Sequence, residues 1–322
     1  MARPALQLGL IGDPQGWHLS DLARAGEARG HAVTAVPWTS LASQITDHNE
    51  RLSPAVTTAP TAFVIRGMPR GGLEEVVFRM NAVARLEAAG HLVVNPARSL
   101  EIAIDKYLTT ARLADHGLPV PKTVVAQEAA AIRNGWEWLG GDVVAKPLFG
   151  SGGRGLERIR SRTDLESFLA RQPAERPAYL QEFVPHPDGD LRILVVGDRA
   201  FAIRRRSDDW RTNVSLGGSA ELLEPSPEMR DLATRAAAAT GTVVAGIDLL
   251  PTAEGRLLVL EVNAVPGWRA LSATCGVDIA AEVIALLERQ MPPPGERPSG
   301  NEATGGARQT PGKRDSGELP PF

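Results

Sequence analysis

Through the first hundred residues, short apolar runs alternate with longer stretches whose apolar positions recur every three or four residues. Residues 6–11, 32–37, 62–66 and 92–95 predict strands, each stopped at or next to a Gly or a Pro. Between them, residues 18–29 place Leu19, Leu22 and Ala23 on one helix face and stop at Gly30. A second helical stripe runs through Leu73, Val76, Val77, Met80 and Ala84 and closes at Gly90. Strand–helix alternation of this kind implies a small parallel sheet covered by helices. Residues 43–60 are polar, rich in Pro and Thr, and show no clear period.

Beyond residue 96 the pattern changes. Residues 99–116 read as one helix that carries Lys106 and ends at Gly117; Pro119 and Pro121 then force an extended link. A domain boundary is expected between residues 96 and 122. Strands are predicted at 124–125, 143–146, 156–159 and 179–183, with helices over 128–138 and after the capping box Thr163-Asp164-Leu165-Glu166. Gly197-Asp198 and Glu254-Gly255 signal two hairpins, the second joining apolar runs at 243–250 and 257–262. Ser226, Pro227 and Gly241 bound a helix over 227–240, and 278–290 is a last amphipathic helix. The expected organisation is an α/β domain over 1–98 and a two-lobed domain over 99–290, divided between 122–183 and 184–290. The Pro- and Gly-rich tail 291–322 has too little apolar surface to fold and is expected to be disordered.

Composition narrows the function. A net charge of -3 gives no electrostatic reason to expect nucleic acid as a partner. Cys275 is the only cysteine, so no intrachain disulfide forms, and its reading is a small buried hydrophobe. No apolar run reaches the roughly 20 residues of a membrane helix, and the N-terminus lacks a signal-peptide core, so a cytoplasmic location is expected.

The chemistry concentrates in the second hairpin. Asp248 sits inside one apolar run, and Glu261 and Asn263 leave one face at the end of the other. Three oxygen donors on paired strands suit a hard divalent cation; the alternative is that Asp248 caps a turn and Glu261 pairs with an Arg. Gly150-Ser151-Gly152-Gly153-Arg154-Gly155 follows the strand bearing Lys146, without the Lys-Ser/Thr ending of a P-loop. It reads as a flexible flap over phosphates, or else an exposed hairpin. Glu182-Phe183-Val184 forms a hinge able to meet a base edge through its backbone. Arg204 and Arg211 suggest an anion pocket, whereas Arg205 and Arg206 read as solvated. His18 and Arg66 lie just past strand ends as candidate substrate contacts; the alternative is that Trp17 packs and Arg66 makes a structural ion pair.

Lys106, Lys146, the Gly-rich flap, the hinge, and Asp248 with Glu261-Val262-Asn263 together resemble the ATP-grasp fold, over roughly residues 100–290. Within it, Gly189-Asp190-Leu191-Arg192 and Trp210-Arg211-Thr212-Asn213 are similar to RimK-type carboxylate–amine ligases. Gly16-Trp17-His18, Arg66-Gly67-Met68-Pro69, residues 73–80 and residues 263–269 resemble a subgroup associated with tetrahydromethanopterin-type cofactor synthesis. Ala264-Val265-Pro266 departs from the small polar residue usual in the wider group. The resemblance implies a pre-ATP-grasp domain over 1–98, ATP with Mg²⁺ or Mn²⁺, and glutamate joined to an acceptor carboxylate, with homo-oligomers common among such proteins. It implies metal ligation by Asp248, Glu261 and Asn263, and catalytic roles for Arg192 and Arg211. Nucleotide contacts are implied for Lys106, Lys146, Gly150, Ser151, Gly152, Gly153, Glu182, Phe183, Val184, Asp190, Arg204 and Asn213. Competing expectations are glutamylation of a protein C-terminus, an ATP-grasp kinase, and a non-catalytic nucleotide-binding scaffold.

Overall fold

A computed structural model describes residues 5–47, 50–53, 62–150, 152–173, 175–207, 209–211 and 218–291. Ser151, Asn213 and the tail expected to be disordered, from residue 292 on, lie outside the described residues.

The chain opens with β1 (Gln7–Gly12), α1 (Trp17–Ala28) and β2 (Ala32–Val36), then a hairpin of β3 (Ala42–Ile45) and β4 (Glu50–Ser53). This hairpin occupies part of the stretch whose sequence shows no strand period, because neither Ala42-Ser43-Gln44-Ile45 nor Glu50-Arg51-Leu52-Ser53 alternates apolar with polar residues. β5 (Ala62–Arg66), α2 (Leu73–Ala88) and β6 (Leu92–Val94) follow, and the four strands β2-β1-β5-β6 form a parallel sheet. The expected helix over 99–116 is two helices, α3 (Ala97–Ile104) and α4 (Lys106–Asp115). Asp105 leaves helical geometry between them, and its carboxylate accepts from the N–H groups of Tyr107 and Leu108. An Asp that caps the second helix breaks the first, and it puts Lys106 at the head of α4.

A second, antiparallel sheet has the order β7-β10-β8-β9, from β7 (Thr123–Ala126), β8 (Val143–Lys146), β9 (Glu157–Ile159) and β10 (Ala178–Glu182). α5 (Ala129–Trp138) and α6 (Arg162–Arg171) bury Ile132, Leu165 and Phe168 against its Val143, Ile159 and Leu180. The third sheet, also antiparallel, has the order β13-β12-β11-β14-β15. Its strands are β11 (Asp190–Val196), β12 (Arg199–Arg206), β13 (Ser219–Leu223), β14 (Val244–Pro251) and β15 (Leu257–Asn263). α7 (Pro227–Thr240) covers one face, with Ser226 Oγ accepting from Met229 N–H at its start and Gly241 left-handed at its end. α8 (Arg269–Cys275) and α9 (Ile279–Gln290) follow β15.

Every residue of β11 is buried, so the strand has two inner faces. Leu191, Ile193 and Val195 share a core with Leu232, Ala233 and Ala236 of α7. Leu194 and Val196 join the core that α9 forms with α1 and the first sheet. That second face also carries Asp190 and Arg192, which continue the two-residue step from Leu194.

Buried Asn95 fastens the first sheet to the third. Its amide donates to the carbonyls of Val244 and Ala264, both at 2.6 Å, and its Oδ1 accepts from Val243 and Val244 N–H at 2.7 and 3.0 Å. Four bonds satisfy the whole buried amide, so the strand that carries Asp248 is held in place from behind. No single described helix is long and apolar enough to cross a membrane.

Candidate active site

A cleft of about 450 Å³ opens between the second and third sheets. Lys106, Lys146, Gly150, Gly152, Gly153, Glu182, Phe183, Val184, Asp190, Arg192, Arg211, Asp248, Glu261 and Asn263 all line it, and so do His18 and Arg269. Fourteen of the expected catalytic, nucleotide and metal residues thus share one cavity with His18 and Arg269, one from each end of the chain.

Both lysines have their heads fixed. Lys106 Nζ donates to the Gly150 carbonyl at 2.7 Å, bridging the first turn of α4 to the Gly-rich loop. Lys146 Nζ donates to Gln181 Oε1 at 2.6 Å, and the Gln181 amide in turn donates to Tyr179 Oη and Thr123 Oγ1. Gly150, Gly152, Gly153 and Gly155 all have positive φ, which is why the loop is built from glycine. At the hinge, Glu182 N–H and Phe183 N–H are already spent on the carbonyls of Lys122 and Asp142. Arg158 lies 3.4 Å over the Phe183 ring while it forks onto Asp142 at 2.8 and 2.6 Å. His186 bridges the carbonyl oxygens of Val184 and Trp210.

Burial pushes the Lys146 ammonium down to about 8; Glu261 and Asp248 pull it up, Lys106 further down. Its cationic fraction therefore falls as pH rises through about 8. If the cation holds a phosphate, ADP affinity should weaken about tenfold between neutral pH and the titration limit of the complex, the worth of one weak charged hydrogen bond. The bend should begin near pH 8 in the wild type and vanish in Lys146→Arg, whose guanidinium stays charged. Calorimetric titration of ADP across pH checks this; a flat wild-type profile would refute it.

Opposite the lysines lies a buried ionic chain. Arg192 Nη1 donates to Asp248 Oδ1 at 2.5 Å, and Arg205 reaches Asp248 Oδ2 at 2.8 Å. Arg205 also forks onto both oxygens of Asp190, at 2.7 and 2.6 Å. Arg192, Asp190, Asp248 and Arg205 are each at most 9% exposed. Burial alone would raise the Asp248 carboxyl, but the two guanidiniums hold it below the ordinary aspartate value. The same acids raise Arg205 against its burial. The solvated reading of Arg205 is thus overturned: strand alternation turns it inward beside Ile203. Arg204 faces the other way and donates to the Asp188 carbonyl, and Arg206 pairs with Asp188 and Glu221 at the surface. Arg211 pairs with Asp209 at 2.6 Å. Gly246 makes room for Arg192: a Cβ there would lie 2.3 Å from Nη2.

β14 and β15 place the oxygen donors. Asp248 pairs with Glu261 and Gly246 with Asn263, but Leu249 pairs with Val259, so Leu260 is an extra residue. Without this bulge, Glu261 would share a face with Val259, which is buried under α7. The bulge turns Glu261 to the side of Asp248. No described residue forms a hydrogen bond or ion pair with the Glu261 carboxylate, whereas both Asp248 oxygens are engaged. Asn263 Oδ1 accepts from Val265 N–H at 2.9 Å and keeps a second lone pair.

At the far wall, His18 Nε2 accepts from Trp268 N–H at 3.1 Å. Burial, then the charge of Arg66, lower the imidazole to about 4, so it is neutral at physiological pH. Arg66 makes no ion pair with a described residue; it stacks 4.2 Å from the Trp268 ring centre and donates to the Pro266 carbonyl at 2.7 Å. Burial lowers its pKa to about 9, which leaves it cationic at neutral pH.

Known proteins match this geometry. Residues 103–287 match the RimK-like ATP-grasp domain. A tetrahydromethanopterin:alpha-L-glutamate ligase of Methanococcus maripaludis is 38% identical over 202 residues, 60% of this chain and 68% of that protein. A probable alpha-L-glutamate ligase of Trichodesmium erythraeum is 30% identical over 294 residues, covering 87% and 94% of the two chains. Among solved structures, the ATP-grasp ligase PsnB with a minimal precursor superposes with a TM-score of 0.71 at 24% identity, over 89% of this chain and 99% of that one. The RimK domain ATP-grasp protein of Sphaerobacter thermophilus gives a TM-score of 0.69 at 24% identity, over 87% and 98%. The chain therefore belongs to the RimK-like ATP-grasp family of ATP-dependent ligases that form C–N bonds.

Proposed function

We propose that this ligase joins L-glutamate to the carboxylate of a tetrahydromethanopterin-type acceptor at the expense of ATP. Support for glutamate and for the acceptor comes from the names of the relatives above, and support for the site comes from the cleft. The observation that carries the reading is the Glu261 carboxylate, turned into the cleft by a bulge and without a partner among the described residues. An acid so placed, near two lysines, suits a cation that travels with a nucleotide.

The donor set fits Mg²⁺ or Mn²⁺. Mg²⁺ commonly takes one or two carboxylates and completes its shell with phosphate oxygens and water. Glu261 and Asn263 have oxygens to give; Asp248 would contribute only by sharing with Arg192 or Arg205. When bound, such an ion draws charge from phosphate oxygens during phosphoryl transfer. The chain's own groups would do the rest. Val184 N–H, not used by another described residue, would meet the base edge at the hinge. Lys106 and Lys146 would neutralise phosphate charge under the Gly150–Gly155 loop, whose closure would keep water from an activated acyl group. The acceptor carboxylate takes the γ-phosphoryl group and ADP leaves. The amine of glutamate then attacks the acyl carbon, phosphate departs, and the amine gives up a proton. Arg192, packed over Gly246, is the cation able to face the oxyanion of that second step.

ADP release with each common amino acid, in the presence of tetrahydromethanopterin or carboxylate-ended peptides, tests this. Release should depend on L-glutamate together with the pterin. Release that ignores amino acids would instead indicate a kinase, and binding without turnover a scaffold.

A further inference from the structure

The wall that carries His18 and Arg269 has a chemistry the nucleotide side does not share. From Asn263, at the end of β15, the chain runs along the cleft through Val265 and Gly267 to Arg269 at the head of α8. Arg269 is exposed, and no described residue accepts a hydrogen bond from its guanidinium. It lies 5.5 Å from the ring centre of Trp17, which is 38% exposed. His18 spends Nε2 as the acceptor for Trp268 N–H, so the neutral ring carries its proton on Nδ1. No described residue accepts that proton.

Behind this wall, Arg66 is 8% exposed, and among the described residues it has no acid partner and its Nε–H no acceptor. The nearby carboxylate, Asp21, is held by Trp268 Nε1 and Arg24. The cations here are therefore unbalanced, whereas acids offset those around Lys146: its charge responds to Glu261 and Asp248, and that of His18 to Arg66, Asp21 and Arg269. A partly enclosed surface with surplus positive charge and open donors attracts an anion.

We infer that this wall is the subsite for the acceptor's carboxylate-bearing end, with Arg269, steadied on Trp17, setting acceptor specificity and His18 Nδ1–H as the second donor. The inference rests on the ligase reading above. Free glutamate also carries carboxylates, so the ligand chemistry alone has two sources. Exposure favours the acceptor. Arg269 lines the cleft of about 450 Å³ and is itself exposed, beside the half-exposed ring of Trp17, so a molecule too large to be enclosed can pass over both.

The test uses full-length protein saturated with Mg²⁺ and a non-hydrolysable ATP analogue. Its probes are L-glutamate and N-acetyl-α-glutamylglutamate, whose blocked amine confines it to the acceptor role. Arg269→Gln should weaken the dipeptide about tenfold to a hundredfold, the range of one charged hydrogen bond, and leave L-glutamate affinity unchanged. Arg269→Lys should recover part of the loss, since a point charge replaces a fork. Three results would overturn the assignment: unchanged dipeptide binding in Arg269→Gln, a loss confined to L-glutamate, or a wild type that binds no dipeptide at millimolar concentration. Should ADP release prove independent of amino acids, the ligase reading fails. Should glutamate drive release while Arg269→Gln binds the dipeptide normally, the subsite alone fails.

Discussion

Replacing Glu261 by Gln is expected to lower ligase kcat by about 10³-fold, the kinetic equivalent of several kcal/mol of lost charge stabilisation. The fold should not notice. Glu261 holds no described partner, and a side chain outside any bonded network changes stability by only about 0.5 kcal/mol. The neighbouring ammonium supplies an independent readout. Glu261 raises the Lys146 pKa, so its removal should move the bend in the ADP profile below pH 8. Circular dichroism and thermal unfolding beside steady-state ADP release would separate these effects. A variant that unfolds would show that Glu261 is structural, and one with wild-type kcat would remove it from the site.

Asp248 should behave in the opposite way, although it stands opposite Glu261 across the same pair of strands. Asp248→Ala leaves Arg192 without its acid and Arg205 with only Asp190, where both guanidiniums are buried in the cleft wall. Breaking a buried ion pair from one side costs about 3–5 kcal/mol, because the remaining charge stays unsolvated. The expected result is a large drop in the denaturation midpoint together with loss of turnover. Asp248→Asn, which keeps an oxygen acceptor, should be intermediate. The sign with pH follows from the depressed carboxyl. The contribution is complete above the ordinary aspartate value of 3.8 and is lost only as pH falls below it, through the folded-state value. Equal stability of wild type and Asp248→Ala in urea would show that the ionic chain is not worth its burial.

Much of the frame could be read from residue order. Gly197-Asp198 and Glu254-Gly255 mark the hairpins of the third sheet, and Ser226, Pro227 and Gly241 bound α7 within a residue. These are local signals, set by neighbours in the chain. What escaped is what distant neighbours decide. The run Arg204-Arg205-Arg206 has no apolar alternation of its own, so only the pairing of β11 with β12 shows that Arg205 turns inward. The bulge at Leu260 leaves an unbroken apolar run in the sequence, yet it alone sets which way Glu261 points. Asp105 interrupts what reads as one helix, and a caps-first reading would have found it. The structural ion pair offered as the alternative for Arg66 misses its stack on Trp268, a contact across 202 positions of chain that no spacing rule reaches.

Asn95 on β14 ties the first sheet to the third, and Ser99 Oγ on the Gly241 carbonyl ties α3 to the end of α7, so the site's geometry depends on the N-terminal region even where that region supplies no ligand. His18 and Trp268 make the same connection at the cleft itself, one from each end of the chain.

The most direct test of the divalent site is calorimetric titration of ADP into wild type and Glu261→Gln, each with and without Mg²⁺. The wild type should bind ADP more tightly when Mg²⁺ is present, and Glu261→Gln should bind it equally with or without the ion. If the variant keeps the full Mg²⁺-dependent gain, the ion is held elsewhere and Glu261 is not its ligand.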